Sequence, residues 1–165
     1  PRWFQLDEPD LRRPVRLATW IVRTDDIRAA AAASPVSLGD VEPMSRGHIN
    51  WLMTIPKYGS LPLEGIAPTL IQWPSEVHPT NTLQDTGCFL VRLEGFHPEA
   101  KKVSSVLQSI GFQGDFHVSA LPSHERPYLV AHIQTARGLR QLSVPDFSPN
   151  MDARPKMPRA GMHCD

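Results

Sequence analysis

Cysteine is scarce: Cys88 and Cys164 are the two thiols in 165 residues. Two thiols make neither a disulfide framework nor a cysteine zinc site, which suits a reducing, cytoplasmic compartment. No apolar run reaches the roughly 18 residues a membrane helix needs, and the N-terminus lacks the charged-then-apolar pattern of a secretory signal. Charge of one sign is missing too, since 17 Lys+Arg balance 17 Asp+Glu. Without a basic stripe, nucleic acid is excluded as the main partner. There is no Gly-x-Ser-x-Gly elbow, no Gly-rich phosphate loop and no His-Glu-x-x-His pattern, which removes the commonest hydrolase, nucleotide and zinc-protease readings.

Proline is abundant, at 17 residues. The prolines cluster at the ends of apolar runs and in the tail, as expected of many short strands with sharp ends. A hydrophobic share of 41% is enough for the core of one ordinary domain. The chain opens Pro1-Arg2-Trp3 without Met, and Trp3, Phe4 and Leu6 suit an exposed terminus poorly. A processed product or a piece of a longer polypeptide is the expectation.

Alternation predicts a strand over Val15–Val22, and Thr24 is a plausible N-cap for a helix running from about Asp25 through Ala33 to Ser34-Pro35. A short strand is expected at Val36–Val41, a well-alternating one at Gly47–Ile55, and another at Ile66–Trp73, ended by Pro74. After a turn-rich link at Ser75–Gly87, Cys88–Phe96 reads as a strand. His97-Pro98-Glu99 then opens a helix with Val103, Val106, Leu107 and Ile110 on one stripe and Gly111 as its stop. Phe116–Leu121, Tyr128–Thr135 and Leu139–Val144 follow as strands, with a tight turn at Arg137-Gly138. The chain thus reads β-α-β-β-β twice, over about residues 14–74 and 87–144. The fold class is α+β: two βαβββ modules forming curled mixed or antiparallel sheets around a pocket. Residues 145–165 form an extended tail.

The stretches Gly47-His48-Ile49-Asn50-Trp51-Leu52, Ala67-Pro68-Thr69-Leu70-Ile71-Gln72-Trp73 and His78-Pro79 look like the glyoxalase-like domain group of the vicinal oxygen chelate superfamily. Gly87–Glu94, the His97-Pro98 helix start, and Trp3 with the strand around Trp20 agree with that resemblance, which covers residues 1 to about 144. Members of that group begin with a further βαβββ unit bearing Asp-His near its start and Leu-Glu near its end. Neither stretch occurs here, so the chain is expected to begin after that unit, and chemistry that depends on it does not carry over.

If apolar rows pack on the helices, the polar mid-strand residues face the cavity. That places Thr19, His48, Asn50, Gln72, Arg92, Glu94, His132, Gln134 and Gln141 inward. The same row also fits a sheet with one wet face, so both readings stand. Asn50, Gln72, Arg92, Glu94, His48, His132 and Gln141 are the candidate ligand-binding residues, with Arg92 the natural anchor for a carboxylate or enolate oxygen. His48 and His132 could exchange protons near neutral pH. His78 is read as organising its loop, and His97 as capping a helix start.

The resemblance implies a divalent metal held from the first and last strands of two facing modules. The comparable positions are Thr19, Gln72, Glu94 or Arg92, and Gln141, a set without imidazole or thiolate that supports no metal within this chain. Cys88 is expected to be a buried, inert thiol, and His163 with Cys164 makes only a weak two-ligand tail. Two functions remain. One is a small-molecule pocket protein, with a metal-assisted lyase, isomerase or dioxygenase-type activity on a carbonyl or carboxylate compound. The other is a non-catalytic ligand-binding or dimerisation module whose sheet edges pair with a second copy or another chain.

Overall fold

A computed structural model of the chain describes residues 16–74 and 78–143. The predicted tail, Trp3 and the His163–Cys164 pair lie outside those residues. The elements are β1 (Ile21–Arg23), α1 (Ile27–Ala33), β2 (Asp40–Arg46), β3 (Ile49–Ile55), β4 (Thr69–Gln72), β5 (Phe89–His97), α2 (Ala100–Ser109), β6 (Phe116–Ala120), β7 (Tyr128–Thr135) and β8 (Gly138–Leu142). Among the described residues they build two four-stranded mixed sheets, ordered β1-β4-β3-β2 and β6-β5-β7-β8. The α+β class is therefore what the chain adopts. Each half follows the β-α-β-β-β order, but the parallel partner of the first strand is β4 in one half and β6 in the other. The repeated module expected from the element order does not carry into the pairing.

Local chemistry explains the two helices. Asp26, not the expected Thr24, is the N-cap of α1, its Oδ1 accepting the Ala29 N–H at 3.0 Å. Thr24 Oγ1 instead accepts the Asp26 N–H, one step before the cap. In α2, Val103, Val106 and Leu107 are the buried residues of the predicted stripe. The helix stops at Gly111 (φ 68°), where the Phe112 N–H reaches back to the Leu107 carbonyl at 3.0 Å. This is the left-handed termination that glycine permits without a Cβ clash.

The strands differ more from expectation. The predicted strand Val15–Val22 forms only in part: residues 16–20 make no ladder, Ile21 and Val22 fall in β1, and Val15 lies outside the described residues. Its final residues still anchor the sheet, with the Thr69 N–H donating to the Trp20 carbonyl at 3.0 Å. Val36–Val41 gives way to β2, which runs from Asp40 to Arg46 through Pro43. An edge strand tolerates that proline because one side of its backbone needs no partner. The two-residue turn Gly47-His48 joins β2 to β3, so His48 sits exposed at a hairpin tip rather than on a strand face. Between β3 and β4, Tyr58, Leu63 and Glu64 take left-handed backbone conformations. Cys88 is exposed, not buried, because the start of β5 runs beyond the packed core.

The core lies between the sheets. Ile27 of α1 packs with Leu70 of β4 and Val106 of α2. Val103 and Leu107 of α2 pack with Leu129 of β7 and with Ile66, just before β4. Trp20 stacks on Phe116 at 4.3 Å between ring centroids, and its Nε1 donates to the Ile66 carbonyl at 2.9 Å. Gly95 makes the close approach of Ile66 and Phe116 feasible, since a Cβ there would stand 2.5 Å from Phe116 Cζ and 2.8 Å from Ile66 Cγ2. The expected hollow shared by two polar strand faces is thus corrected. The two sheets turn their helix-packed apolar faces toward each other, because those faces carry the area that must leave water.

Candidate functional site

Sheet register decides which polar residues meet. Along β5 and β7, Arg92 stands opposite His132, and His132 stands opposite Gln141 of β8. Alternation puts Glu94 on that same face, two residues along β5 from Arg92. The α2-packed residues Leu129, Phe116 and Val118 occupy the other face. The polar row therefore lies on the face of the second sheet away from α2, a face that also carries the buried Val130 and Tyr128.

On that face one carboxylate oxygen holds two partners. His132 Nε2 lies 2.6 Å from Glu94 Oε2, and Arg92 Nη2 lies 3.4 Å from the same oxygen. The His132 and Glu94 side chains are 16% and 24% exposed, so the bond is largely shielded, whereas Arg92 at 47% faces solvent. An ionised carboxylate only accepts, so Nε2 is the donor of the 2.6 Å bond, and Nδ1 carries a lone pair when the ring is neutral. Farther along, Phe96 and Tyr128 stack at 4.5 Å. Burial, followed by the charges of Glu125 and Glu94, raises the Tyr128 pKa above its ordinary value.

Asn50 and Gln72 fall elsewhere. Asn50 and Leu52 of β3, Pro43 and Ser45 of β2, and Gln72 of β4 share the face on which Leu70 and Leu52 meet α1. Together with Met44, Trp51, Trp73 and Pro74, which reach it from the other side of the sheet, they line a cleft of about 420 Å³. Gln72 also caps α1, its Oε1 accepting the Ile27 N–H at 2.9 Å. Trp51 and Trp73 alternate to the opposite side, with ring centroids 5.2 Å apart, and Trp73 meets His78 edge-on at 5.6 Å. Trp51 Nε1 is buried with no hydrogen-bond partner among the described residues.

The seven candidate binding residues thus separate into three groups. Arg92, Glu94, His132 and Gln141 share the face of the second sheet away from α2, Asn50 and Gln72 share a cleft on the other sheet, and His48 stands alone in its turn. Sequence reasoning missed Ser45, whose strand was hidden behind Pro43. His97 is buried and its Nδ1 accepts the Glu99 N–H at 2.9 Å, tying it to the start of α2 rather than to a ligand. His78 Nδ1 accepts the Thr80 N–H at 3.2 Å and organises its loop.

Comparison with known proteins supplies the family. The model of a glyoxalase-like domain matches residues 1–111, more than half of the chain. The chain belongs to the glyoxalase-like domain family. No curated protein and no solved structure matches it. The matched stretch of the glyoxalase-like domain spans the first sheet, β5 and α2, so Arg92 and Glu94 lie within it and His132 and Gln141 beyond it.

The residues present do not fit the divalent metal that a vicinal oxygen chelate fold implies. Gln72 Oε1 is spent on α1, the Thr19 hydroxyl donates to the Trp20 carbonyl at 3.4 Å, and Glu94 is engaged by His132 and Arg92. Among the described residues no group of three or more His, Cys, Asp or Glu is placed to hold an ion. Arg92 beside Glu94 would also repel a cation.

Proposed function

We propose that this glyoxalase-like domain binds a small carbonyl or carboxylate compound at the partly exposed Arg92–Glu94–His132 cluster of its second sheet. Family membership supports a small-molecule-binding fold. The observation that carries the reading is the shared Glu94 oxygen, 2.6 Å from His132 Nε2 and 3.4 Å from Arg92 Nη2. The guanidinium forms a planar fork, and the N–H groups not turned to Glu94 remain to grip a carboxylate or enolate oxygen. Glu94 fixes the imidazole in one tautomer, leaving Nδ1 as a base for a proton next to a carbonyl. In that step the C–H proton moves to His132 Nδ1 and the enolate oxygen is held by Arg92. Return of a proton from His132 closes the cycle without net change. Gln141, opposite His132, supplies a neutral donor and acceptor beside them.

The experiment is deuterium exchange at C3 of pyruvate in D₂O, followed by proton NMR alongside a binding titration. Exchange above the buffer rate, with R92Q weakening binding at least tenfold and H132Q abolishing exchange while binding persists, supports the proposal. Neither binding nor exchange overturns it.

A second reading has its own observation. Phe89, Leu90 and Val91 at the start of β5, and Leu139 and Leu142 on the edge strand β8, are large apolar side chains between 42% and 61% exposed. Exposed apolar residues beside a sheet edge favour pairing with a second copy of the chain, which removes both from water. Sedimentation over a range of concentrations tests it: a monomer throughout removes this reading, and a dimer dissociated by F89S together with L139S supports it.

A further inference from the structure

We infer that the cleft where β2, β3 and the end of β4 meet, lined by Ser45, Asn50 and Gln72 with Trp51 and Trp73, is a second small-molecule site, built for an uncharged carboxamide or lactam. Its volume, about 420 Å³, falls within the range of ordinary ligand sites. None of the side chains lining it carries a formal charge. An ionic ligand would leave water for no compensating partner there, which selects neutral molecules.

The polar groups set the chemistry more closely. Ser45 and Asn50 are directly opposed across β2 and β3 and both are exposed, so a hydroxyl and a carboxamide stand side by side. Gln72 faces them from β4, and its amide is oriented by a bond that admits one assignment. The Ile27 N–H, 2.9 Å away, can donate only to Oε1. Nε2 is therefore the end left for the cleft, and it is a donor. Asn50 offers both a donor and an acceptor. Donors from Gln72 and Asn50 match a carbonyl oxygen, and the Asn50 oxygen or Ser45 hydroxyl accepts from the amide N–H. Leu52, between Asn50 and Gln72 in the grid, gives an apolar floor for the carbon frame.

The site is separate from the Arg92–Glu94–His132 face, which prefers anions, so one ring with two head groups distinguishes them. Nicotinamide and nicotinate are titrated into the ¹⁵N-labelled full chain. The expected result is that nicotinamide moves the backbone or side-chain amide signals of Ser45, Asn50 and Gln72, and that nicotinate binds there at least tenfold more weakly. Gln72→Glu keeps an oxygen for the Ile27 N–H but replaces the donor with a carboxylate oxygen. It should lose nicotinamide binding at least tenfold while unfolding within a few degrees of the parent. Asn50→Ala, at an exposed position, provides the same test should the Glu variant fail to fold. Nicotinamide shifts elsewhere or nowhere, equal affinity for nicotinate at these residues, or undiminished binding in the folded variants would overturn the inference.

Discussion

His132 and Glu94 are 38 residues apart in sequence, yet Nε2 and Oε2 meet at 2.6 Å. They are diagonal neighbours across β5 and β7, since His132 is directly opposed to Arg92 and Glu94 lies one step farther on the same face. Diagonal pairs in antiparallel sheets lie within reach of long side chains. The third member, Arg92, therefore joins the same oxygen from its own strand.

A double-mutant cycle with Glu94→Gln and His132→Gln measures that bond. The side chains are shielded but not sealed from water, so the coupling energy should be about 1 kcal/mol, above most exposed pairs and below a buried one. Urea unfolding of the four proteins reads it. Coupling indistinguishable from zero would mean that the two groups are not bonded in solution.

Gly95 should be intolerant of the smallest addition. A Cβ there meets Phe116 Cζ at 2.5 Å and Ile66 Cγ2 at 2.8 Å, inside a core that joins the two sheets. Gly95→Ala is expected to cost about 1–3 kcal/mol by overpacking. Equal stability of variant and parent in denaturant would show that the sheets do not approach each other this closely.

Two tryptophans should behave in opposite ways. Trp20 Nε1 donates to the Ile66 carbonyl, whereas Trp51 Nε1 is buried without a partner among the described residues. Substitution by Phe strands the Ile66 carbonyl in the first case and removes an orphaned donor in the second. An unsatisfied buried group costs about 1–3 kcal/mol, so Trp20→Phe should be more destabilising than Trp51→Phe by about that amount. Equal losses would contradict the assigned hydrogen bonding.

What the sequence made legible follows from what periodicity encodes. The stripe Val103, Val106 and Leu107 identified the buried face of α2. The alternation in β7 marked Tyr128–Thr135 with its observed limits and put His132 on the polar face. Such patterns are local. The strand holding Ser45 was hidden because Pro43 is acceptable only on an edge, and edge status depends on a strand order that no window of residues contains. His48 was misplaced because a two-residue hairpin turn continues the alternation on either side of it. Separation of Asn50 and Gln72 from Arg92 and Glu94 is a long-range outcome. It rests on α2 lying between the sheets and on Gly95 admitting Ile66, neither of which leaves a periodic mark.

Stability should fall on mild acidification through His97. Its ring is buried, and Nδ1 accepts the Glu99 N–H, so only the neutral ring serves that bond. Desolvation lowers its pKa below the ordinary histidine value of about 6.5, outweighing Glu64 and Glu99, which raise it, while Lys102 lowers it further. A base whose folded pKa is depressed binds its proton more readily when unfolded. Its contribution is therefore complete above about pH 6.5 and is lost as the pH drops from there toward the folded pKa, below which no more is lost. His97→Asn retains an acceptor near the Glu99 N–H but does not titrate. The difference in unfolding free energy between parent and variant should stay constant from pH 8 to about 7 and shrink as the pH falls below about 6.5. Because the other histidines are common to both proteins, their titrations largely cancel in the comparison. A difference that stays flat down to pH 5 would show that His97 takes up its proton as easily in the folded chain as in the unfolded one.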